Sequence, residues 1–100
     1  MTMKQYNLSE DDLRVKICKA LADNVRLKII RLLYRENTEL SCGEIGDLLT
    51  ISKSAASYHF KTLREAGITT TRKVGQNKFV KLNHETFDTF LPGFLNSLDK

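Results

Sequence analysis

The feature that most constrains this chain is the stretch of residues 51–68, with the sequence ISKSAASYHFKTLREAGI. Ser52 is a natural N-cap, because its hydroxyl can accept a hydrogen bond from an unpaired amide of the first helical turn. Apolar residues recur after it at the spacing of one helix face, and Gly67 ends the pattern with a residue that suits a left-handed cap. The apolar residues are Ala55, Ala56, Phe60, Leu63 and Ala66. This stretch therefore predicts a helix whose two ends are both set by local sequence.

The other face of this helix is polar but carries few charges. It consists of Lys53, Ser54, Ser57, Tyr58 and Lys61. Hydroxyl, phenol and amine groups can bond to nucleic-acid bases and phosphates. A solvent-exposed helix more commonly carries Glu–Lys pairs at such positions. The face therefore predicts a helix that fits closely into a groove of DNA.

Basic charge is concentrated in the same part of the chain. Residues 52–82 contain seven basic residues and one acidic residue, a net charge of +6, whereas the whole chain carries +4. The remaining residues therefore carry a net charge of −2. This asymmetry indicates a polyanionic partner for one face of the protein.

Size and composition predict one cytoplasmic domain spanning residues 1–100. A chain of 100 residues with 41% hydrophobic content can build one core but not two. It contains no apolar run of membrane-spanning length, and residues 1–6 lack the apolar segment of a signal peptide. Cys18 and Cys42 are too few for a disulfide framework, which favours a reducing compartment.

Three helices are predicted before the Ser52 helix. Ser9 suits the N-cap of the first helix, since its hydroxyl can accept a backbone hydrogen bond. The acidic residues that follow it suit the positive end of the helix dipole. Asp23 suits the N-cap of the second, whose basic residues, including Arg26, are expected to face water. Ser41 has capping-box spacing to a glutamate and begins a short third helix. The third and fourth helices, over about residues 41–66, form the pattern of a helix-turn-helix.

The pattern becomes extended after Gly67. Residues 68–74 are rich in β-branched side chains, residues 75–77 have turn chemistry, and residues 78–82 alternate with a period of two. A β-hairpin with a basic tip is therefore predicted over about residues 69–82. The predicted fold is mainly α with a small β-hairpin (α+β), a winged helix-turn-helix with the element order α-α-α-α-β-β-α.

The segment of about residues 84–98 predicts a terminal helix with a strong apolar stripe. The stripe consists of Phe87, Phe90, Leu91, Phe94, Leu95 and Leu98. Three phenylalanines on one terminal helix exceed the needs of a small core, so a partner surface is predicted, with packing onto its own domain as the alternative. Pro92 interrupts the stripe, and the helix can end near Leu91 and restart with Pro92 at its first position.

Taken in order and spacing, these segments resemble the ArsR/SmtB family of bacterial winged-helix repressors over nearly the whole chain. The matching segments are ALAD at residues 20–23, RLKIIRLL at 26–33, EL at 39–40, GEI at 43–45, SKS at 52–54, SYHFK at 57–61, LREAGI at 63–68 and RKVG at 72–75. The resemblance implies a homodimer formed by the first and last helices, with Leu13 and Ile17 of the first helix beside the terminal stripe. It also implies a repressor that covers an inverted repeat in a promoter and releases it when a signal arrives.

The family's metal sites are not reproduced in this sequence. Metal sensors of the family carry cysteines in the segment matching residues 39–44, but here Cys42 takes a usually apolar position and Gly43 replaces a second cysteine. Soft ions need several thiolates. The family's zinc site needs histidines on the last helix, and His84 has no second histidine after it. We therefore expect no metal and no cofactor, with an unfamiliar site using Cys42, Cys18 or His84 as the alternative.

The cysteines and His59 each allow two interpretations. Cys18 and Cys42 are expected to be small buried residues, with a redox switch as the alternative, because a helix start would lower the pKa of the Cys42 thiol. His59 is expected to contact a base or a phosphate, with a packing role as the alternative. The sequence contains no Ser–His–Asp order, glycine-rich phosphate loop or paired carboxylates, so no enzymatic activity is predicted.

The predicted partner is double-stranded promoter DNA, and the predicted contacts fall into two classes. The residues expected to bind phosphates are Lys61, Arg64, Arg72, Lys73 and Lys78. Those expected to read bases are Lys53, Ser54, Ser57 and Tyr58 in the major groove, with Gln76 and Asn77 at the minor groove. The alternative is a winged helix that docks an acidic protein, because fold alone does not fix function. An inducer, either a small molecule or an oxidant, is expected but not identified.

Overall fold

The computed structural model describes residues 8–99, which form six helices and a three-stranded sheet. The elements in chain order are α1 (Leu8–Leu21), α2 (Asn24–Glu36), β1 (Leu40–Ser41), α3 (Cys42–Leu49), α4 (Lys53–Glu65), β2 (Thr69–Val74), β3 (Asn77–Leu82), α5 (His84–Phe90) and α6 (Phe94–Ser97). The predicted winged helix-turn-helix is confirmed. The predicted element order differs in two places, a short extra strand β1 and a terminal helix divided into α5 and α6.

Local capping sets the starts of α2 and α4. The Asp23 carboxylate accepts a hydrogen bond of 2.9 Å from the backbone N–H of Arg26, and the Ser52 hydroxyl accepts one of 3.3 Å from that of Ala55. Both predicted N-caps are therefore confirmed. Ser9 is not an N-cap, because α1 already includes the residue before it.

The start of α3 also supplies the extra strand. Ser41 and Glu44 form a full capping box, with reciprocal hydrogen bonds of 3.0 and 2.9 Å. The two residues of β1 pair antiparallel with β3, and the strand order is β1-β3-β2. A strand of two residues is too short to produce a sequence period, so the pattern did not predict it. β1 fastens the start of the helix-turn-helix to the wing.

Gly67 ends α4 in a complete Schellman motif. It adopts φ +76°, its N–H donates to the carbonyl of Arg64 at 3.0 Å, and the N–H of Ile68 donates to the carbonyl of Leu63 at 3.0 Å. The Thr86 hydroxyl donates to the Gly67 carbonyl at 2.7 Å. The turn after α4 is therefore bonded to α5 as well as to its own helix, and the predicted role of Gly67 is confirmed.

Much of the terminal apolar stripe lies in the protein's own core. Phe87, Leu95, Leu98 and, on α1, Ile17 are buried within the single chain. The prediction that these residues form a partner surface is therefore wrong. Leu13, Phe90, Leu91 and Phe94 are only partly buried against that core.

The division of the terminal helix explains this burial. α5 ends at Phe90, and Gly93 with φ +86° precedes α6, so Pro92 lies between the helices and not at a first helical position. The break lets α6 reach α2, where the Tyr34 hydroxyl donates to the Asn96 side-chain oxygen at 2.7 Å. A continuous helix would have carried its last apolar residues away from α2. Within residues 8–99 no helix is both long and apolar enough to cross a membrane.

We expect Thr69→Val to stabilise the fold. Thr69 is 2% exposed, and among residues 8–99 its hydroxyl oxygen finds no hydrogen-bond partner. An unsatisfied buried hydroxyl costs about 1 kcal/mol or more, and valine has nearly the same shape. The free energy of unfolding in urea should therefore rise by about 1 kcal/mol. Thr70→Val, at the neighbouring exposed position, is the control and should change it by less than about 0.5 kcal/mol; equal effects would contradict the explanation.

Candidate nucleic-acid interface

The outer face of α4 presents the predicted base-reading residues to solvent. Lys53, Ser54, Ser57, Tyr58 and Lys61 are all exposed. Tyr58 is 62% exposed, which is unusual for a large aromatic side chain. The opposite face is fixed in the core by Ala56, Phe60 and Leu63. The helix is therefore packed against the core on one side, and its polar face remains exposed to solvent.

The wing carries the second group of predicted contacts. β2 and β3 pair in register from Thr69 with Leu82 to Val74 with Asn77, which leaves a two-residue turn. Gly75 begins that turn with φ +62°, a conformation that glycine adopts without strain. The exposed residues at or near the tip are Lys73, Gln76, Asn77 and Lys78. The hairpin thus presents amines and amides at its end.

A cleft of about 590 Å³ lies between α3, α4 and the wing. Six of the predicted DNA-contacting residues line it, namely Lys53, Ser57, Arg64, Gln76, Asn77 and Lys78. Asp47 is the acidic residue among its lining side chains. Helix and wing residues that lie far apart in the sequence therefore converge on one basic surface.

Arg72 differs from the other predicted phosphate contacts because its charge is already paired. Its guanidinium forms a bidentate ion pair with Glu39 and lies 5.2 Å from the centroid of the Phe79 ring. The hydrogen bond from Arg72 lowers the pKa of the Glu39 carboxyl, which keeps that carboxyl ionised. The sequence did not predict this pair, which joins residues 33 positions apart.

His59 points into the protein and not toward the outer face of α4. Its side chain is 12% exposed, and its Nδ1 atom lies 3.0 Å from Nη1 of Arg26 and 4.0 Å from Oδ2 of Asp23. The expected contact of His59 with DNA is therefore wrong, and the packing role is the one observed. Arg26 is only 8% exposed, so the expectation that it faces water is also wrong.

The cysteines also differ from expectation. Cys18 is exposed on α1, so it is not the small buried residue predicted. Cys42 is half-buried in the cleft, and desolvation raises the pKa of its thiol despite the opposing effect of Lys78 and Arg64. The predicted lowering of this pKa by the helix start is wrong. Within residues 8–99, no three His, Cys, Asp or Glu side chains are grouped so that they could hold a metal ion.

A partly apolar surface lies on the side formed by α1 and α5. It includes the half-buried Leu13, Phe90 and Leu91. The Arg14 guanidinium lies 5.3 Å from the centroid of the Phe90 ring and joins the two helices. The part of the terminal stripe that can meet a partner is therefore smaller than the sequence indicated.

Comparison with known proteins identifies the family. Residues 10–72 match the family described as Helix-turn-helix domain. The arsenical resistance operon repressor of Staphylococcus xylosus is 40% identical over 77 residues, covering 72% of this chain and 67% of that protein. The chain belongs to the ArsR family of winged helix-turn-helix regulators.

Two further proteins are similar to this regulator over most of its length. The uncharacterized HTH-type transcriptional regulator YceK of Bacillus subtilis strain 168 is 58% identical over 98 residues, covering 98% of this chain and 95% of that protein. The solution structure of the homodimeric winged helix-turn-helix DNA-binding domain Mb0332 from Mycobacterium bovis superposes with a TM-score of 0.75. It is 21% identical and covers 90% of this chain and 81% of that one, a likeness of fold. The chain is therefore a winged helix-turn-helix transcriptional regulator of the ArsR type.

Proposed function

We propose that the regulator represses transcription by binding an inverted-repeat operator as a homodimer, with α4 in the major groove and the wing at the adjacent minor groove. The observation that carries this proposal is the exposed polar face of α4, which continues into the basic cleft beside the wing. Small hydroxyls beside amines suit base edges and phosphates. A surface built to dock a protein would instead display large apolar anchors.

The homodimer is supported by two independent observations. The surface of α1 and α5 leaves Leu13, Phe90 and Leu91 only partly buried. The Mycobacterium bovis domain of the same fold is described as homodimeric. A two-fold axis places two recognition helices about one turn of DNA apart, so the operator should be an imperfect palindrome.

Repression follows from the position of such a dimer on a promoter. A protein that covers the promoter excludes polymerase, and the Staphylococcus xylosus relative is named as an operon repressor. Transcription in vitro should fall as regulator is added, when the promoter carries an operator selected from random duplexes for binding to this protein. A rise in transcript would show an activator that uses the same DNA-binding surface.

We expect Ser57→Ala to weaken binding to the operator far more than binding to unrelated DNA. Ser57 is exposed on α4 and lines the cleft, where its hydroxyl can bond to a base edge. Loss of a base contact costs about 1–3 kcal/mol of discrimination. Fluorescence anisotropy should therefore show a loss of about tenfold on an operator selected from random duplexes.

The same measurement on a scrambled duplex provides the comparison. Affinity for that duplex should stay within about twofold of the wild type, since nonspecific binding depends on phosphates. Equal losses on both duplexes would show that Ser57 does not read bases. Thr70→Ala, an exposed hydroxyl on the wing strand and outside the cleft, is the matched control and should change neither affinity.

A further inference from the structure

Arg26 joins two helices at the point where α1 ends and α2 begins. Its Nε atom donates to the carbonyl of Ala20 at 2.6 Å, and its Nη2 atom donates to the carbonyl of Lys19 at 3.3 Å. Carbonyls in the last turn of a helix lack partners within the helix, so the guanidinium caps the C-terminal end of α1. Its backbone N–H is meanwhile held by the Asp23 carboxylate.

The same guanidinium reaches the middle of the recognition helix. Its Nη1 atom lies 3.0 Å from Nδ1 of His59. Guanidinium groups only donate hydrogen bonds, so this contact requires the His59 tautomer in which Nδ1 accepts and Nε2 carries the proton. The guanidinium carbon also lies 5.9 Å from the centroid of the Tyr58 ring, which stands edge-on to His59 with centroids 5.3 Å apart.

We propose that Arg26 is a positioning residue for DNA recognition, which ties α4 and the aromatic ring of Tyr58 to the end of α1. This inference rests on the proposed function, in which Tyr58 reads DNA. Tyr58 is 62% exposed, so its inner contacts with Arg26 and His59 restrict the direction in which its ring points. Because α1 belongs to the proposed dimer surface, Arg26 also fixes the recognition helix relative to the partner protomer.

Only the planar fork of arginine can make this set of contacts. Three of its nitrogens point in different directions, to the end of α1 and to α4. Lysine has one nitrogen on a flexible stem and no flat surface to lie against an aromatic ring. Arg26→Lys should therefore keep the charge while losing the positioning.

Arg31 offers a matched control on the same helix. Its Nε atom donates to the carbonyl of Leu98 at 3.3 Å, so it too bonds to a main-chain carbonyl near the end of a helix. Within residues 8–99, the hydrogen bond of the Arg31 guanidinium runs to the end of α6 and not to α4. Arg31→Met should therefore cost stability in a similar way, while leaving the recognition helix in place.

The test compares specific with nonspecific DNA binding for Arg26→Met, Arg26→Lys and Arg31→Met. Each variant is measured as the full chain, at a temperature where circular dichroism shows it to be folded. The ratio of affinity for the selected operator to affinity for a scrambled duplex should fall about tenfold for both Arg26 variants. For Arg31→Met it should stay within about twofold of the wild type.

A spectroscopic readout tests the positioning without DNA. Nitrogen NMR of the imidazole rings should show His59 of the wild type with an unprotonated Nδ1, and Arg26→Met should shift that resonance. His84, exposed on α5, is the internal reference and its resonance should not shift.

If both folded Arg26 variants keep the wild-type affinity ratio, Arg26 contributes to stability alone, and that result overturns this inference without touching the proposed function. A wild type with no preference for any selected duplex overturns the proposed function and this inference together.

Discussion

Phe90→Glu is expected to produce a monomer that hardly binds the operator. Phe90 is half-buried on the surface formed by α1 and α5, so a carboxylate there would be trapped without water at the proposed dimer seam. Two linked half-site contacts exceed one contact by a factor of about 10²–10⁴, and the monomer loses that factor. Sedimentation velocity should show a single protomer, and anisotropy should show operator affinity reduced by at least about a hundredfold.

The fold of the variant should survive this change. Phe90 is only partly buried within its own chain, so in the monomer the new carboxylate can reach water. Thr89→Glu is the matched control, because it adds the same charge at the adjacent exposed position. That variant should remain a dimer with operator affinity within a few-fold of the wild type. A Phe90→Glu protein that sediments as an intact dimer would place the seam elsewhere.

The outcome at Phe90 depends on a part of the structure that the sequence predicted only partly. The spacing of the terminal stripe showed that it was helical and apolar, but not which residues would be buried by their own chain. That depended on where the helix broke and on the reach of α6 to α2 through Tyr34 and Asn96. Such contacts join residues 62 positions apart, and no local pattern encodes them.

Structural features that depend only on residues close together in the chain were predicted correctly. Ser52, Asp23 and the pair Ser41 and Glu44 cap their helices as their spacing indicated, because a cap needs only neighbours in the chain. Gly67 ends α4 for the same reason. The helix-turn-helix and the wing were therefore predictable from pattern alone.

Long-range side-chain pairing was not predictable. The expected DNA contact of His59 failed because Arg26 accompanies it inside the protein, and the free charge expected of Arg72 is paired with Glu39. Both pairs join residues 33 positions apart. Residue type and helical phase predict which face of a helix a polar residue occupies. Whether that residue is free to bind DNA depends on a partner from another helix or strand.

The basic surface predicts a steep dependence of DNA binding on salt. Excluding the paired Arg72, each protomer presents Lys61, Arg64, Lys73 and Lys78 as exposed phosphate-binding residues. Two protomers then neutralise about eight phosphates, and log K should fall against log salt with a slope of about −7. Between 50 and 200 mM salt, that slope corresponds to a loss of roughly 10⁴ in affinity. Anisotropy titrations over this range measure the slope directly.

Charge removal separates the paired arginine from the free cations. Lys78→Gln removes an exposed amine at the cleft from each protomer, so the slope should become shallower by about 2 for the dimer. Arg72→Gln should change the slope by less, because a guanidinium paired with Glu39 does not neutralise a phosphate. A slope near zero in the wild type would mean that phosphates are not the partners of this surface. Equal changes for the two variants would mean that the ion pair opens when DNA binds, and that Arg72 then joins the phosphate contacts.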